Sequence, residues 1–149
     1  MLHRVHEILL VASPYDAYIL EEDGRLTEQI LTEYLGMNLS YAPRVWRAST
    51  AAEAMNMLEE RNFDLILTML RISDMDPITF GKRVKKDRPE LPVILLVFDA
   101  TELKRMGNLL RGSAIDKVFV WSGDANVLPV IIKYVEDRKN VERDMEMGD

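Results

Sequence analysis

The residues best placed for chemistry follow one apolar run. Phe63-Asp64-Leu65-Ile66-Leu67-Thr68-Met69-Leu70 leads into Arg71 to Pro77, a polar turn carrying Asp74 and Asp76. An unbroken Leu-Ile-Leu between polar boundaries suits a strand covered on both faces. In open α/β sheets ligands bind outside the carboxyl ends of such strands. Here that end offers Thr68, Met69 and Leu70, a hydroxyl, a thioether and an alkyl group, which is a poor set for acid–base, metal or nucleophilic chemistry. Glu21-Glu22-Asp23-Gly24 is a denser acidic group, read either as a turn or as the first turn of a helix with Leu26, Ile30, Leu31, Tyr34 and Leu35 on its apolar face. A solvated helix start favoured by the helix dipole is preferred there to a metal site. His3 and His6 are too few and too terminal to hold a metal, and Met55 and Met57 read as packing rather than cofactor contacts.

Composition narrows the function classes. With 149 residues and 48% apolar content the chain can build one core without staples. It has no cysteine, which excludes disulfides, thiolate zinc sites, iron–sulfur clusters and cysteine nucleophiles. The net charge of -6 argues against nucleic acid and anionic membranes, whose binders concentrate positive charge. No run reaches the ~20 apolar residues of a membrane helix, and Met1 to Glu7 lacks a secretory core, so a soluble cytoplasmic protein is expected.

The elements that would position these residues can be read in order. Strands are expected at Ile8–Val11, at Arg44–Ala48 as an edge type, at Leu65–Leu67, at Pro92–Val97 and at Lys117–Trp121. Thr50 with Glu53 forms a capping box before a helix through Ala51, Ala54, Met55 and Leu58. Asp76-Pro77 starts another, with Phe80 and Val84 inward and Lys82, Arg83, Lys85 and Lys86 outward. Asp99 and Glu102 open a helix expected to run to Gly112, and a last helix should begin near Asn126 and bury Val130, Ile131, Tyr134 and Val135. Five strands alternating with five helices imply an α/β, doubly wound, five-stranded parallel sheet with helices on both faces. No glycine-rich phosphate loop or internal repeat is present.

Several stretches then resemble the receiver domain of bacterial response regulators, over about residues 7 to 138. Phe63 to Thr68 with Asp74-Met75-Asp76 is similar to the strand and loop that carry that family's phosphoacceptor. Leu91-Pro92-Val93-Ile94 looks like its fourth strand, Ala52-Glu53-Ala54 like its second helix start, and Ile115-Asp116-Lys117-Val118 like the entry to its fifth strand. The resemblance implies the flavodoxin-like strand order 2-1-3-4-5 and a receiver-like domain over residues 1–138; the charged composition of 139–149 reads as a tail or linker, whether a helix extension or disorder.

The family's phosphoryl chemistry uses an aspartate, an acidic pair holding Mg²⁺, a hydroxyl residue and a lysine, so that a hard cation finds oxygens and transferred charge is neutralised. Alignment on the motifs places Met69 at the phosphoacceptor position, Ala12 and Ser13 at the acidic pair, Val97 at the hydroxyl position, followed by Phe98, and Trp121 at the lysine; Ser122 and Pro77 replace the family's proline and glycine. The resemblance therefore implies a degenerate receiver, or pseudo-receiver, with neither catalytic residue nor metal nor cofactor. It would act in signal transduction by contact with a protein partner or output domain, or as a homodimer, through a face including Glu102, Arg105, Met106, Lys117, Phe119 and Lys133. Thr68, Ser13 and Asp16 could each carry phosphate, but structural roles are preferred in the absence of a metal cage. The alternatives are a small apolar ligand near Tyr15, Phe98 and Trp121, a flavin- or nucleotide-binding flavodoxin-like protein, and the regulatory N-terminal segment of a phosphoenolpyruvate- or pyruvate-utilising enzyme.

Overall fold

The computed structural model describes residues 4–22, 43–121 and 127–147. Within them the order is β1 (Glu7–Val11), α1 (Pro14–Glu22), β2 (Arg44–Ala48), α2 (Ala51–Glu60), β3 (Leu65–Thr68), α3 (Pro77–Asp87), β4 (Val93–Val97), α4 (Ala100–Met106), β5 (Lys117–Val120) and α5 (Val127–Met147). The strands form one sheet in the order β2-β1-β3-β4-β5. Every neighbouring pair is parallel, with Val11 opposite Ala48 and Thr68, and Thr68 opposite Leu95.

The unbroken apolar strands have the physical cause expected of them. β1, β3 and β4 are covered on both faces, so successive residues feed opposite cores. Ile8, Leu10, Leu65, Leu67, Ile94 and Leu96 pack with Ala17 and Leu20 of α1 and with Val127, Leu128, Ile131 and Val135 of α5. Leu9, Val11, Ile66 and Val93 face the other way, against Ala51, Ala54 and Leu58 of α2 and Phe80 and Val84 of α3. Leu95 and Val97 extend that second face to Met106 of α4. The side chains of edge strand β5 are only partly buried beyond Lys117, as are Val45 and Trp46 of β2.

Several expectations need correction. Ser13-Pro14 stops β1 but also starts α1: the Ser13 hydroxyl accepts from the Asp16 N–H at 3.1 Å, and Pro14 takes the first helical position, where its missing N–H costs nothing. The helix proposed over Leu26 to Leu35 lies outside the described residues. α4 ends at Met106, well short of Gly112, after which the chain turns through Leu109 and Leu110 to a Gly112 with φ +70. Lys85 does not face outward, because it folds under the sheet to Asp116 at 2.7 Å. Val130 is 51% exposed rather than inward, its place in the core taken by Val127 and Leu128. α5 runs unbroken past residue 138 to Met147, the helix extension that the charged tail allowed.

Candidate functional site

The carboxyl edge is assembled by short backbone links. The Met69 N–H donates to the Val11 carbonyl at 2.9 Å, carrying the β1–β3 ladder one residue beyond the strand, and the Ala12 N–H donates to Ala48 at 3.0 Å. The Ser13 N–H donates to the Arg71 carbonyl at 3.1 Å, and the Trp121 N–H to Val97 at 2.8 Å. Met69 and Ala12 are buried, and both belong to the core facing α1 and α5. Phe98 and Trp121 pack against that same cluster and meet edge to face at 5.5 Å. Ser13 is half-buried at the rim as the cap of α1. Val97 is buried on the other face, against α4. Three of the five aligned positions, Met69, Ala12 and Trp121, thus share one apolar cluster. Tyr15 is 66% exposed and stands outside it.

Two buried polar atoms interrupt this apolar edge. The Trp121 indole N–H and Asp16 Oδ1 have no hydrogen-bond partner among the described residues. The other Asp16 oxygen lies 3.4 Å from Arg71 Nε, so one guanidinium faces the one buried carboxylate in the first turn of α1. Thr68 is buried, and its hydroxyl donates to the Met69 carbonyl at 3.2 Å.

The acidic turn after β3 supplies the cap its spacing predicts and a second, non-local brace. Asp76 caps α3, accepting from the Thr79 N–H at 2.9 Å and its hydroxyl at 2.6 Å. The hydroxyl first, then the N–H, holds the Asp76 carboxyl below its usual range. Asp74 reaches across to α2, where its two oxygens accept from the Ala51 and Ala52 N–H groups at 2.8 and 3.0 Å. Those bonds, Ala51 first, lower its pKa. The Thr50 hydroxyl accepts from the Glu53 N–H as the capping box requires, but the Glu53 carboxylate turns to Ser49. The turn is therefore tied to α2 by Asp74 and to α1 by Arg71. The available signal was an acidic loop beside a helix whose first amides need acceptors.

A family model described as the response regulator receiver domain matches residues 19–119. The chain belongs to that family. Receivers also share its architecture: the signal receiver domain of an HD domain-containing protein from Pseudomonas fluorescens Pf-5 is 22% identical, with a TM-score of 0.70 over 97% of this chain and 96% of that one. The receiver domain of sensor histidine kinase PA1611 from Pseudomonas aeruginosa PAO1, solved with a magnesium ion coordinated in its active-site cleft, is 20% identical with a TM-score of 0.64, covering 89% of this chain and 98% of that one. NtrX from Brucella abortus is 17% identical with a TM-score of 0.71, covering 97% of this receiver and 30% of that chain. No match was found among curated proteins.

As a receiver, the chain is a signal-transduction module of the two-component type. The Mg²⁺ that the family implies does not suit the groups at this edge. A hard cation at octahedral geometry wants several oxygens, whereas Met69 and Ala12 present a thioether and a methyl group, and Asp16 is already next to Arg71. Along the expected interaction face, Arg105, Lys117 and Lys133 are exposed and Phe119 half-buried against Tyr134 at 5.6 Å. Glu102 is turned back to accept from the Phe98 N–H at 2.6 Å. Met106 is buried against β4 and is no part of that surface. Among the described residues no helix is long and apolar enough to cross a membrane.

Proposed function

We propose that this receiver works as a pseudo-receiver, through protein contacts, without phosphoryl transfer to the end of β3. The observation that carries the reading is the burial of Met69, the residue that motif alignment sets at the phosphoacceptor position, with its thioether packed in one cluster with Ala12 and Trp121. Aspartyl phosphorylation needs a nucleophilic oxygen, a cation to bridge the phosphate and a fixed positive charge against the developing one. A methionine, an alanine and a tryptophan replace these with van der Waals contact, so the edge has one packed state where the family has two charge states.

The contact surface follows from charge. Arg105, Lys117 and Lys133 place three cations on the exposed α4–β5–α5 side of a chain whose net charge is -6. That asymmetry suits an acidic surface on a protein partner or an output domain. Titration with Mg²⁺ followed by beryllofluoride, read by amide NMR, tests the reading. Shifts confined to weak, unsaturable drift at Ala12, Met69 and Trp121 are expected. Saturable shifts at those three amides would contradict it. In the same preparation, sedimentation with and without the charge reversals Arg105→Glu and Lys133→Glu separates self-association from a need for a different partner.

A further inference from the structure

α2 and α3 lie side by side on one face of the sheet, where Ala51, Ala54 and Leu58 of α2 share a core with Phe80 and Val84 of α3. They run in the same direction, since each returns the chain from one parallel strand to the next. Both ends are tied. Asp74, in the loop before α3, accepts from the Ala51 and Ala52 N–H groups that open α2, and the Arg88 guanidinium, just past the end of α3, donates to the Leu58 carbonyl at 2.9 Å. The helices are therefore level. Counted from Ala51 and Pro77, Glu53 stands beside Thr79, Asn56 beside Lys82 and Glu60 beside Lys86.

Their outer surfaces carry opposite charge. α2 exposes Glu53, Glu59 and Glu60 and has no basic residue, whereas α3 exposes Lys82, Arg83 and Lys86 against Asp87. Helical spacing sets Glu53, Asn56 and Glu60 in one row and Thr79, Lys82 and Lys86 in another. Glu53 turns to Ser49, Arg83 acts on the Asp74 carboxylate, and Lys85 is paired with Asp116. Glu60, Lys82 and Lys86 make no ion pair or side-chain hydrogen bond among the described residues. An acidic row lying beside a basic row at the same level is complementary to a second copy of itself.

We propose that two copies of the chain meet on this α2–α3 side, related by a two-fold axis that runs along the groove between the helices. Such an axis lays α2 of one copy on α3 of the other, parallel and level, so that Glu60 meets the partner's Lys86 and Asn56 meets the partner's Lys82. Each contact occurs twice, because the interface is isologous. The alternative two-fold, running across the helices, sets α2 on α2 and α3 on α3, acid on acid and base on base, so the charges select one arrangement. The proposal goes beyond the contact surface of α4, β5 and α5 and shares no residue with it.

Sedimentation of the whole chain over a concentration series tests this. Self-association is expected at ~0.02 M salt and should be lost by about 0.5 M, because contacts between exposed charges are screened. Glu60→Lys alone and Lys86→Glu alone each bring like charges face to face, and each should weaken self-association about tenfold or more. Mixed one to one, the two variants restore both contacts in a heterodimer, and the double variant Glu60→Lys/Lys86→Glu restores them between identical chains. Recovery in these two cases also shows that the single variants fold. A chain that is monomeric at every concentration, single variants that associate as well as the parent, no recovery on mixing, or self-association lost only with Arg105→Glu and Lys133→Glu would overturn the assignment.

Discussion

A buried thioether at the end of β3 sets the tolerance of its neighbours. Met69 lies among Leu10, Leu67 and Leu96 with Trp121 against the cluster, so volume matters more there than chemistry. Met69→Leu should cost less than ~1.5 kcal/mol in urea unfolding, as volume-conserving exchanges do. Met69→Asp, which puts a carboxylate into that apolar cluster, should cost about 3–5 kcal/mol as an uncompensated buried charge; a smaller loss for the aspartate than for leucine would contradict this packing. Asp74 behaves in the opposite manner, as an exposed acceptor for the Ala51 and Ala52 N–H groups. Its folded pKa is depressed, so its contribution is fully present above the unfolded value near ~3.9 and is lost as pH falls through the lower folded value. Asp74→Asn should therefore unfold more easily than the parent chain at neutral pH, with the gap closing in acid; a gap that widens in acid would show that the carboxylate does not brace α2. Local caps such as Asp76 and Asp99 were legible because donor and acceptor lie three residues apart in sequence. The Asp74 bonds and the Lys85–Asp116 pair were not, since chain folding alone brings those partners together.

At the scale of elements, the boundaries set by side-chain capping were read better than those set by the backbone. Thr50, Asp76 and Asp99 each open a helix as their spacing predicts. α1 was missed because Ser13-Pro14 ends a strand and caps a helix with the same two residues. The spacing predicts Gly112 as the cap of α4, yet its positive φ belongs to the turns that follow a shorter helix. Gly112→Ala should lower stability by about 1–2 kcal/mol, the cost of a Cβ in the left-handed region, although nothing lies within 4 Å of the added atom. Thermal unfolding would check this, and an unchanged or raised midpoint would mean that the turn relaxes to another conformation.

For the whole molecule, the strand order was legible because three strands built on unbroken apolar runs require helices on both faces, and the receiver motifs supplied the order. The amino-edge grouping was invisible in sequence, since it joins Lys85 to Asp116 from separate elements. The two edges of one sheet thus carry different chemistry. Met69, Ala12 and Trp121 share one apolar cluster at the carboxyl edge, while Lys85 pairs with Asp116 at the amino edge. The most direct test is the intact mass of the chain after incubation with Mg²⁺ and excess acetyl phosphate. An unchanged mass is predicted, and a stoichiometric, acid-labile phosphoryl adduct would contradict it.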